Sequence, residues 1–257
     1  MATTLLFLSG CSQDTEGEIK RLAMPVASTK EAPLIHDLWM WSWLAAMVTG
    51  VVVWGLIIYA SIRYRRRSET EIPVQTRYNL PIEIFYTIAP VMMVIVFFYF
   101  TVDTQNKVLH TSANPDQTVT VVGQQWAWTF NYNLDYDKDK KAYEPDGSGE
   151  VVYEGGTPAD RATLWLVKDQ SVTINLESPD VVHSFWVPRF LAKRDMIPEV
   201  DNAIDVTPTT LGRFDGRCAE YCALDHWRMA FTLEVVEPED LDAAIEAAAD
   251  AANGARP

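Results

Sequence analysis

Cysteine is scarce in this sequence: its 257 residues include only three, and two of them lie four positions apart. A framework of structural disulfides, which needs several spaced cysteines, is therefore excluded. The motif C-x-x-C-H is also absent, so the chain carries no covalently attached c-type haem. Cys218 and Cys222 are left as candidate metal ligands, and Cys11 stands apart near the N-terminus.

Basic residues are few relative to acidic ones. The sequence has 21 Lys and Arg against 35 Asp and Glu, which gives a formal net charge of −14. A nucleic-acid partner requires a basic face, so no nucleic-acid partner is expected. The acidic surface suits a cationic protein partner, whose attraction weakens with salt, or it serves solubility alone.

Charge is missing altogether from residues 38–62. At about 1.5 Å per residue, this stretch predicts a helix that crosses a hydrocarbon core of about 30 Å. Three tryptophans at its start, Trp39, Trp41 and Trp43, are typical of a membrane interface. A buried core helix is the alternative, but the uncharged run is too long for one.

A second apolar run over residues 84–102 predicts a second transmembrane span. Arg63 and the arginines at 65–67 follow the first span, and the positive-inside rule places the loop between the spans in the cytoplasm. The second span ends before Asp103. The N-terminus and everything after this residue are therefore predicted to be extracytoplasmic, in a multi-pass protein embedded in membrane lipid.

Residues 1–37 are predicted to hold a signal and an exposed linker. The run Leu8-Ser9-Gly10-Cys11 resembles a bacterial lipoprotein signal, in which Cys11 is lipidated. No Lys or Arg precedes this run and its apolar core is short, so an incidental cysteine is the alternative. Residues 12–31 are polar and mixed in charge, and they predict a flexible, exposed linker.

Residues 103–236 carry strand patterns and predict an extracytoplasmic domain. β-branched or alternating apolar runs occur at 118–122, 126–132, 164–166, 171–176 and 231–236. No helical pattern of comparable length interrupts them, so we expect an all-β sandwich or barrel. A polar insertion at 135–161 predicts a surface hairpin, and the acidic, Ala-rich tail at 237–257 predicts a short helix or none.

Residues 218–229 gather soft metal donors. Two thiols, an imidazole and a thioether follow the order C-x3-C-x3-H-x2-M, which ends in His226 and Met229. Sulfur and imidazole donors favour copper, zinc or iron. The thiol spacing is wider than the x2 of zinc fingers, and a weakly bound Met beside Cys and His is typical of copper electron-transfer sites.

His183, in the apolar run at 181–188, is predicted to supply a second imidazole. Two thiolates, two imidazoles and a thioether exceed what a single copper ion uses. Two coppers that share both sulfurs account for all of these donors. The alternatives are a membrane-tethered carrier with one exchangeable copper and a zinc-binding structural module, against which Met229 counts.

The loop C-A-E-Y-C-A-L-D-H-W-R-M, with V-V-H-S-F upstream, resembles subunit II of the bacterial haem-copper cytochrome c oxidases. The resemblance implies a cupredoxin-like Greek-key sandwich after a two-helix transmembrane hairpin. It implies that the chain accepts electrons from cytochrome c at a dinuclear copper A centre and passes them to the haems of subunit I, where oxygen reduction is coupled to proton translocation. The implied partners are subunits I and III and a cytochrome c, free or as a domain of another complex, with haem only in the partner subunit.

The same resemblance implies the ligand set. The copper ligands are His183, Cys218, the backbone carbonyl of Glu220, Cys222, His226 and Met229. The Glu220 side chain is implied to help hold a magnesium ion shared with subunit I. Quinol oxidase subunits lack copper ligands and nitrous oxide reductase lacks the hairpin, so both are disfavoured.

Three further motifs extend the resemblance. G-Q-Q-W-A-W is similar to the family's G-H-Q-W-Y-W and implies that electrons enter at Trp126. The run from Pro81 to Pro90 resembles E-x-x-W-T-x-x-P, with Tyr86 replacing Trp, and implies that Glu83 lies at the mouth of a proton pathway. K-R-D-M-I-P-E resembles K-x-D-x-x-P-G, with Glu199 in place of the family's Gly. Because glycine adopts positive φ readily and glutamate does not, a different turn is expected.

Overall fold

The structure of the protein is a computed structural model that describes residues 15–132, 134–137, 142–145, 152–245 and 247. The chain divides into two compact units. One consists of residues 37–107, and the other of the described parts of residues 1–36 and 108–257. The second unit is thus assembled from two separate stretches of sequence. Cys11 lies outside the described residues.

From residue 15 onwards, where the description of the chain begins, three α-helices precede the first strand: α1 Thr15–Lys20, α2 Ala32–Arg63 and α3 Leu80–Val108. Both α2 and α3 are long and apolar enough to cross a membrane, and none of their most apolar stretch is buried within the protein. A core helix of a soluble protein would be covered by its own fold, so that alternative is excluded. Both helices extend beyond the uncharged runs because polar flanking residues continue the helical backbone.

Twelve strands follow α3 among the described residues. They are β1 Gln117–Gln124, β2 Ala127–Tyr132, β3 Leu134–Asp137, β4 Ala142–Pro145, β5 Val152–Gly155, β6 Thr163–Val167, β7 Val172–Glu177, β8 His183–Trp186, β9 Lys193–Met196, β10 Asn202–Val206, β11 Gly212–Cys218 and β12 Ala230–Val236. One sheet has the order β10-β7-β1-β2-β5 and another has the order β6-β12-β11-β8-β9. The predicted strand runs coincide with observed strands, except that Trp126 and Ser171 lie one residue before β2 and β7.

The two five-stranded sheets form a sandwich. The chain passes from one sheet to the other after β5, β6, β7, β9 and β10. Each sheet also contains one parallel pair, β1 with β7 and β6 with β12, among antiparallel neighbours. Repeated crossing between sheets is the connectivity of a Greek-key sandwich. The predicted sandwich is therefore present.

The core of the sandwich is rich in aromatic side chains. Along β2, Trp128, Phe130 and Tyr132 are buried and alternate with partly exposed residues, as one face of a strand requires. Phe231 of β12 meets the rings of Trp128 and Phe130 edge to face and stacks on Phe185 at a centroid distance of 5.2 Å. These four rings form the aromatic cluster of Trp128, Phe130, Phe185 and Phe231.

Gly216 makes room for this aromatic cluster. It lies on the inward face of β11, directly opposite Phe231 in the sheet register. A Cβ atom at Gly216 would stand 2.1 Å from Cζ of Phe231. No real contact is that short, so the ring of Phe231 occupies the place where any other residue would carry its side chain.

The N-terminal segment differs from the exposed linker predicted for residues 12–31. Ser28 and Thr29 are buried, and Thr29 forms a β-bridge with Pro208. The Ser28 N–H donates to the Arg189 carbonyl at 3.0 Å, and the Ser28 carbonyl accepts from the Thr209 N–H at 2.9 Å. The charges of the linker lie at its two ends and leave residues 22–29 uncharged, so this short stretch can pair as an edge strand.

The insertion and the tail each contribute structure. Strands β3 and β4 pair antiparallel, as the predicted hairpin requires, whereas β5 joins the sandwich beside β2. In the tail, residues 238–240 form a 3-10 helix and residues 241–245 are α-helical. Leu241 packs against the core, and Ile245 is part of it. The first residues of the tail therefore pack against the core of the sandwich.

The turn at Glu199 is not the one expected. Glu199 itself adopts a positive φ of 63°, and the Val200 N–H donates to the Ile197 carbonyl at 3.1 Å. The expectation that Glu would force a different turn was wrong. The left-handed conformation costs a non-glycine residue roughly 1–2 kcal/mol, which the closed turn can offset.

Candidate metal centre

The loop at 218–229 connects the neighbouring strands β11 and β12, and its two ends are joined. The Cys218 N–H donates to the Met229 carbonyl at 2.9 Å, so the first and last predicted ligands of the loop are hydrogen-bonded through their backbones. His183 is the first residue of β8, which pairs with β11 so that Phe185 lies opposite Cys218. The sheet therefore brings a residue 35 positions upstream beside the loop.

The predicted donors converge on two sulfur atoms. Cys218 Sγ lies 3.8 Å from His183 Nδ1, 3.2 Å from the Glu220 carbonyl oxygen and 3.9 Å from Cys222 Sγ. Cys222 Sγ in turn lies 3.6 Å from His226 Nδ1 and 3.7 Å from Met229 Sδ. The residues in this cluster are His183, Cys218, Glu220, Cys222, His226 and Met229.

These separations fit a transition-metal site. Metal–sulfur bonds of about 2.3 Å and metal–nitrogen bonds of about 2.0 Å, at tetrahedral angles, place two donors on one ion roughly 3.5–3.8 Å apart. The sulfur and imidazole distances in the cluster lie close to this range. His183, Cys218 and Cys222 are all buried, with ligand atoms within 4.8 Å of one another. The cluster can therefore bind a soft metal ion away from bulk water.

Asp180 is a site residue that was not predicted from the sequence. Its Oδ1 lies 2.9 Å from His183 Nε2, and the carboxylate also accepts hydrogen bonds from the N–H groups of Gln125 and Val181. A carboxylate on the far nitrogen fixes a metal-binding histidine in its tautomer and orientation. It thereby turns Nδ1 of His183 towards Cys218. The sequence signal that could have predicted this role is the position of a carboxylate three residues before the candidate histidine.

The titration of the two thiols differs. Burial raises the pKa of Cys218, but hydrogen bonds with His183 and nearby backbone groups outweigh it and bring the pKa down to about 7. Burial, followed by the charge of Cys218, raises the pKa of Cys222 to about 12. A metal ion that takes both sulfurs as thiolates therefore displaces a proton from Cys222.

The charge of the His183 pair follows from its hydrogen bonds. Burial opposes a charged ring, but the hydrogen bonds with Cys218 and Asp180 raise the pKa of His183. Partial burial likewise opposes ionisation of Asp180, but the N–H groups of Gln125 and Val181 help keep its pKa below the usual range. The carboxylate is thus charged at neutral pH and remains an acceptor for the ring.

The other predicted site residues lie in different surroundings. Trp126 is half-buried, and its Nε1 donates to the Cys222 carbonyl at 2.8 Å, so its indole adjoins the cluster. The Glu220 side chain is exposed. Glu83 lies in the first turn of α3, where its Oε1 accepts from the Asn79 N–H at 2.9 Å. Glu83 thus caps its own helix, which is a local role beside the one implied by the motif.

Asp180→Asn tests the orientation of His183. The amide keeps the size of the side chain but loses the charge that holds the imidazole, so we expect copper affinity to fall about 10–100-fold. Competition with a Cu(I) chelator measures the change. Asp116→Asn is the matched control, because Asp116 also accepts a backbone N–H, from Ser171, at the opposite end of β1. Equal copper affinity in Asp180→Asn and the unaltered chain would contradict the role.

Comparison with known proteins places these features in one family. A family profile described as "Cytochrome C oxidase subunit II, periplasmic domain" matches residues 117–236. The probable cytochrome c oxidase subunit 2 of Streptomyces avermitilis is 46% identical, over 92% of this chain and 82% of that protein. The cytochrome c oxidase subunit 2 of Corynebacterium glutamicum is 34% identical, over 86% and 74% of the two chains.

A solved structure also aligns with the chain. It is the periplasmic domain of subunit II of cytochrome oxidase from Bradyrhizobium japonicum, with a TM-score of 0.45 and 23% identity. The alignment covers 55% of this chain and 99% of that one.

Two apolar helices of membrane-spanning length, a Greek-key sandwich and a buried cluster of soft donors are the features of a membrane-anchored protein with a candidate metal site. The identities above then specify which one. The chain belongs to the cytochrome c oxidase subunit II family and is a component of a haem-copper oxidase. The prediction of the family is confirmed, as is the prediction of two apolar helices followed by a cupredoxin-like sandwich.

Proposed function

We propose that this chain accepts electrons from cytochrome c at a dinuclear copper A centre and passes them to the haems of subunit I. Oxygen is reduced to water in subunit I, with coupled proton translocation. The convergence of three further side-chain donors and one carbonyl on two sulfurs 3.9 Å apart, in a chain of this family, carries the proposal. A site for a single ion does not need two thiols that can both face the same pair of ions, so this arrangement favours a dinuclear site.

The residues divide the binding between them. Cys218 and Cys222 would hold both ions, His183 and His226 would each hold one, Met229 would hold one ion, and the Glu220 carbonyl would hold the other. When bound, the two coppers share one electron and exchange it with little change in geometry. The protein supports this by burying both sulfurs and by holding Met229 in the core, where it is 1% exposed. Side chains that are packed in place have little freedom to rearrange when the charge changes.

Trp126 is the proposed point at which electrons enter. Its indole is half-buried and donates to the carbonyl of a ligand residue, Cys222, at 2.8 Å. One side chain therefore connects the outer surface to the cluster. The electron donor must be a separate protein, since this chain has no haem-attachment motif, and a cationic cytochrome c suits the net charge of −14.

The remaining proposals concern the membrane and the neighbouring subunits. Lipidated Cys11 and the helices α2 and α3 anchor the chain in the bacterial cell membrane, with the copper domain on the extracytoplasmic side. Glu220 helps hold a magnesium ion against subunit I, for which its exposed side chain is available. Glu83 lies at the cytoplasmic mouth of a proton pathway into subunit I. Subunit III completes the assembly.

The metal content of the full-length chain in detergent tests the proposal. After reconstitution with copper, we expect two ions per chain and a seven-line hyperfine pattern in the electron paramagnetic resonance spectrum, because one electron is shared by two equivalent nuclei of spin three-halves. The zinc-loaded chain is the control, and it gives no electron paramagnetic resonance signal because Zn²⁺ has no unpaired electron. One copper with a four-line signal would instead indicate a copper carrier, and preferential retention of zinc would indicate a structural module.

A further inference from the structure

Three residues of the segment Gln125–Trp128, namely Gln125, Trp126 and Trp128, donate hydrogen bonds to ligand residues of the metal loop. Trp126 Nε1 and Gln125 Nε2 both donate to the Cys222 carbonyl, at 2.8 and 3.1 Å. Two donors on one carbonyl fix the peptide that follows this ligand in both position and tilt. The middle of the metal loop is therefore held by side chains from outside the loop.

Trp128 holds the end of the loop. Its Nε1 donates to the Met229 carbonyl at 3.3 Å, and the same carbonyl accepts from the Cys218 N–H at 2.9 Å. Trp128 and Met229 are each 1% exposed, so water cannot replace either bond. Losing the indole donor leaves this buried carbonyl with one partner fewer. The position of the Met229 backbone thus depends on Trp128.

The same segment reaches a third ligand through its backbone. The Gln125 N–H donates to Asp180 at 2.7 Å, and the other oxygen of Asp180 lies 2.9 Å from His183 Nε2. Cys222 and Met229 lie in the metal loop, whereas His183 lies on β8. All three are tied to Gln125–Trp128, which consists of the turn between β1 and β2 and the first two residues of β2.

Packing alone does not explain a tryptophan at position 128. Its neighbours in the aromatic cluster are phenylalanines, with Phe231 at a centroid distance of 4.9 Å and Phe185 at 6.2 Å. A phenylalanine would make similar ring contacts there. The indole adds an N–H group, which a buried tryptophan must direct to an acceptor, and the acceptor it finds belongs to a metal ligand.

We propose that Gln125–Trp128 is a positioning segment for the metal centre, in which Trp128 fixes Met229, Gln125 and Trp126 fix Cys222, and Asp180 extends the control to His183. The proposal rests on the proposed function for the identity of the metal. It assigns Trp128 the role of holding the Met229 backbone in place, so that the thioether of Met229 is fixed relative to the metal. Trp128 itself contacts no metal and is a positioning residue.

Trp128→Phe in the full-length, copper-loaded chain in detergent tests this role. The change keeps an aromatic ring in the core and removes only the N–H donor and part of the ring volume. Outer partners of metal ligands typically change metal affinity 10–100-fold, so we expect copper release to a Cu(I) chelator to be about tenfold faster. We also expect the hyperfine splitting to change, which a purely structural role of Trp128 would not cause.

Two further variants separate positioning from folding. Phe130→Leu disturbs the same aromatic cluster but breaks no bond to the loop, so it is expected to lower the melting temperature while copper release stays within about twofold of the unaltered chain. Gln125→Met removes one bond to the Cys222 carbonyl at an exposed position that does not threaten folding. It is expected to speed copper release severalfold, and it tests the segment even if Trp128→Phe does not fold.

A double-mutant cycle with Met229→Leu identifies the ligand through which Trp128 acts. In the Met229→Leu background, Trp128→Phe is expected to change copper release by less than about twofold, because the thioether it positions is already gone. The inference would be overturned if the effects of Trp128→Phe and Met229→Leu on the rate of copper release simply multiply in the double variant. Unaltered copper release in both Trp128→Phe and Gln125→Met would overturn it as well. Failure of the unaltered chain to bind two coppers would instead overturn the proposed function, so the two failures are distinguishable.

Discussion

Cys222→Ser is expected to eliminate the proposed dinuclear centre and, with it, the proposed acceptance of electrons from cytochrome c. Cys222 Sγ is the atom beside which Cys218, His226 and Met229 all place donor atoms, at 3.9, 3.6 and 3.7 Å. A hydroxyl is a poor ligand for soft ions and does not ionise near neutral pH. The thiolate bridge between two ions therefore disappears, whereas the outer shape of the side chain is nearly kept.

The measurement for Cys222→Ser is copper stoichiometry together with the electron paramagnetic resonance spectrum. The expected result is one copper or none per chain and loss of the seven-line pattern. Met229→Leu is the matched comparison, because it removes a sulfur from the same cluster but leaves both thiols, so two coppers with altered splitting are expected. A normal seven-line spectrum in Cys222→Ser would contradict the bridging role of this thiol.

Gly216→Ala is expected to produce a large loss of stability in the sandwich. The added Cβ would stand 2.1 Å from the ring of Phe231, which is itself fully buried and stacked on Phe185. The ring also meets Trp128 and Phe130 edge to face, so moving it aside disturbs these contacts. Overpacking of this kind costs about 3 kcal/mol or more. Thermal or denaturant unfolding of the metal-free protein measures the change.

Gly155→Ala is the control for Gly216→Ala. Gly155 is also in a β-strand, but an added Cβ would meet only Thr129 Oγ1, at 3.8 Å, which is an ordinary contact. Its substitution is expected to change the free energy of unfolding by less than about 1 kcal/mol. If both variants unfold alike, the contact between Gly216 and Phe231 does not limit the packing of the core.

The donors of the centre could be predicted from the sequence because most of them are local. Cys218, Cys222, His226 and Met229 lie in one short loop, so their spacing alone indicates a shared site. His183 is remote, and it was predicted as the second imidazole because it lies in an apolar run at 181–188. The register of β8 with β11 supplies the physical reason, since it sets Phe185 opposite Cys218 and so brings His183 beside the loop.

The groups that hold the ligands could not be predicted in the same way. Trp128 acts through a hydrogen bond to the Met229 carbonyl, and this contact depends on how the two sheets face each other. Asp180 lies only three residues before His183, but that spacing does not show that its carboxylate points to the imidazole. A tryptophan in a strand pattern predicts core packing, and the pattern contains no information on where the indole N–H points. The positive φ of Glu199 was missed for a related reason, since local preference yields to the closure of a turn.

The pairing of residues 26–31 with the end of the sandwich has a consequence for biosynthesis. The Val26 carbonyl accepts from Arg189 Nε, 163 positions later, and Glu31 accepts from the Thr207 N–H, 176 positions later. At about 5–20 residues per second, the ribosome needs roughly 8–35 s to deliver these partners. Both long apolar helices emerge in that interval. The N-terminal edge of the domain therefore waits unpaired until the helices are complete, and the sandwich closes late in synthesis.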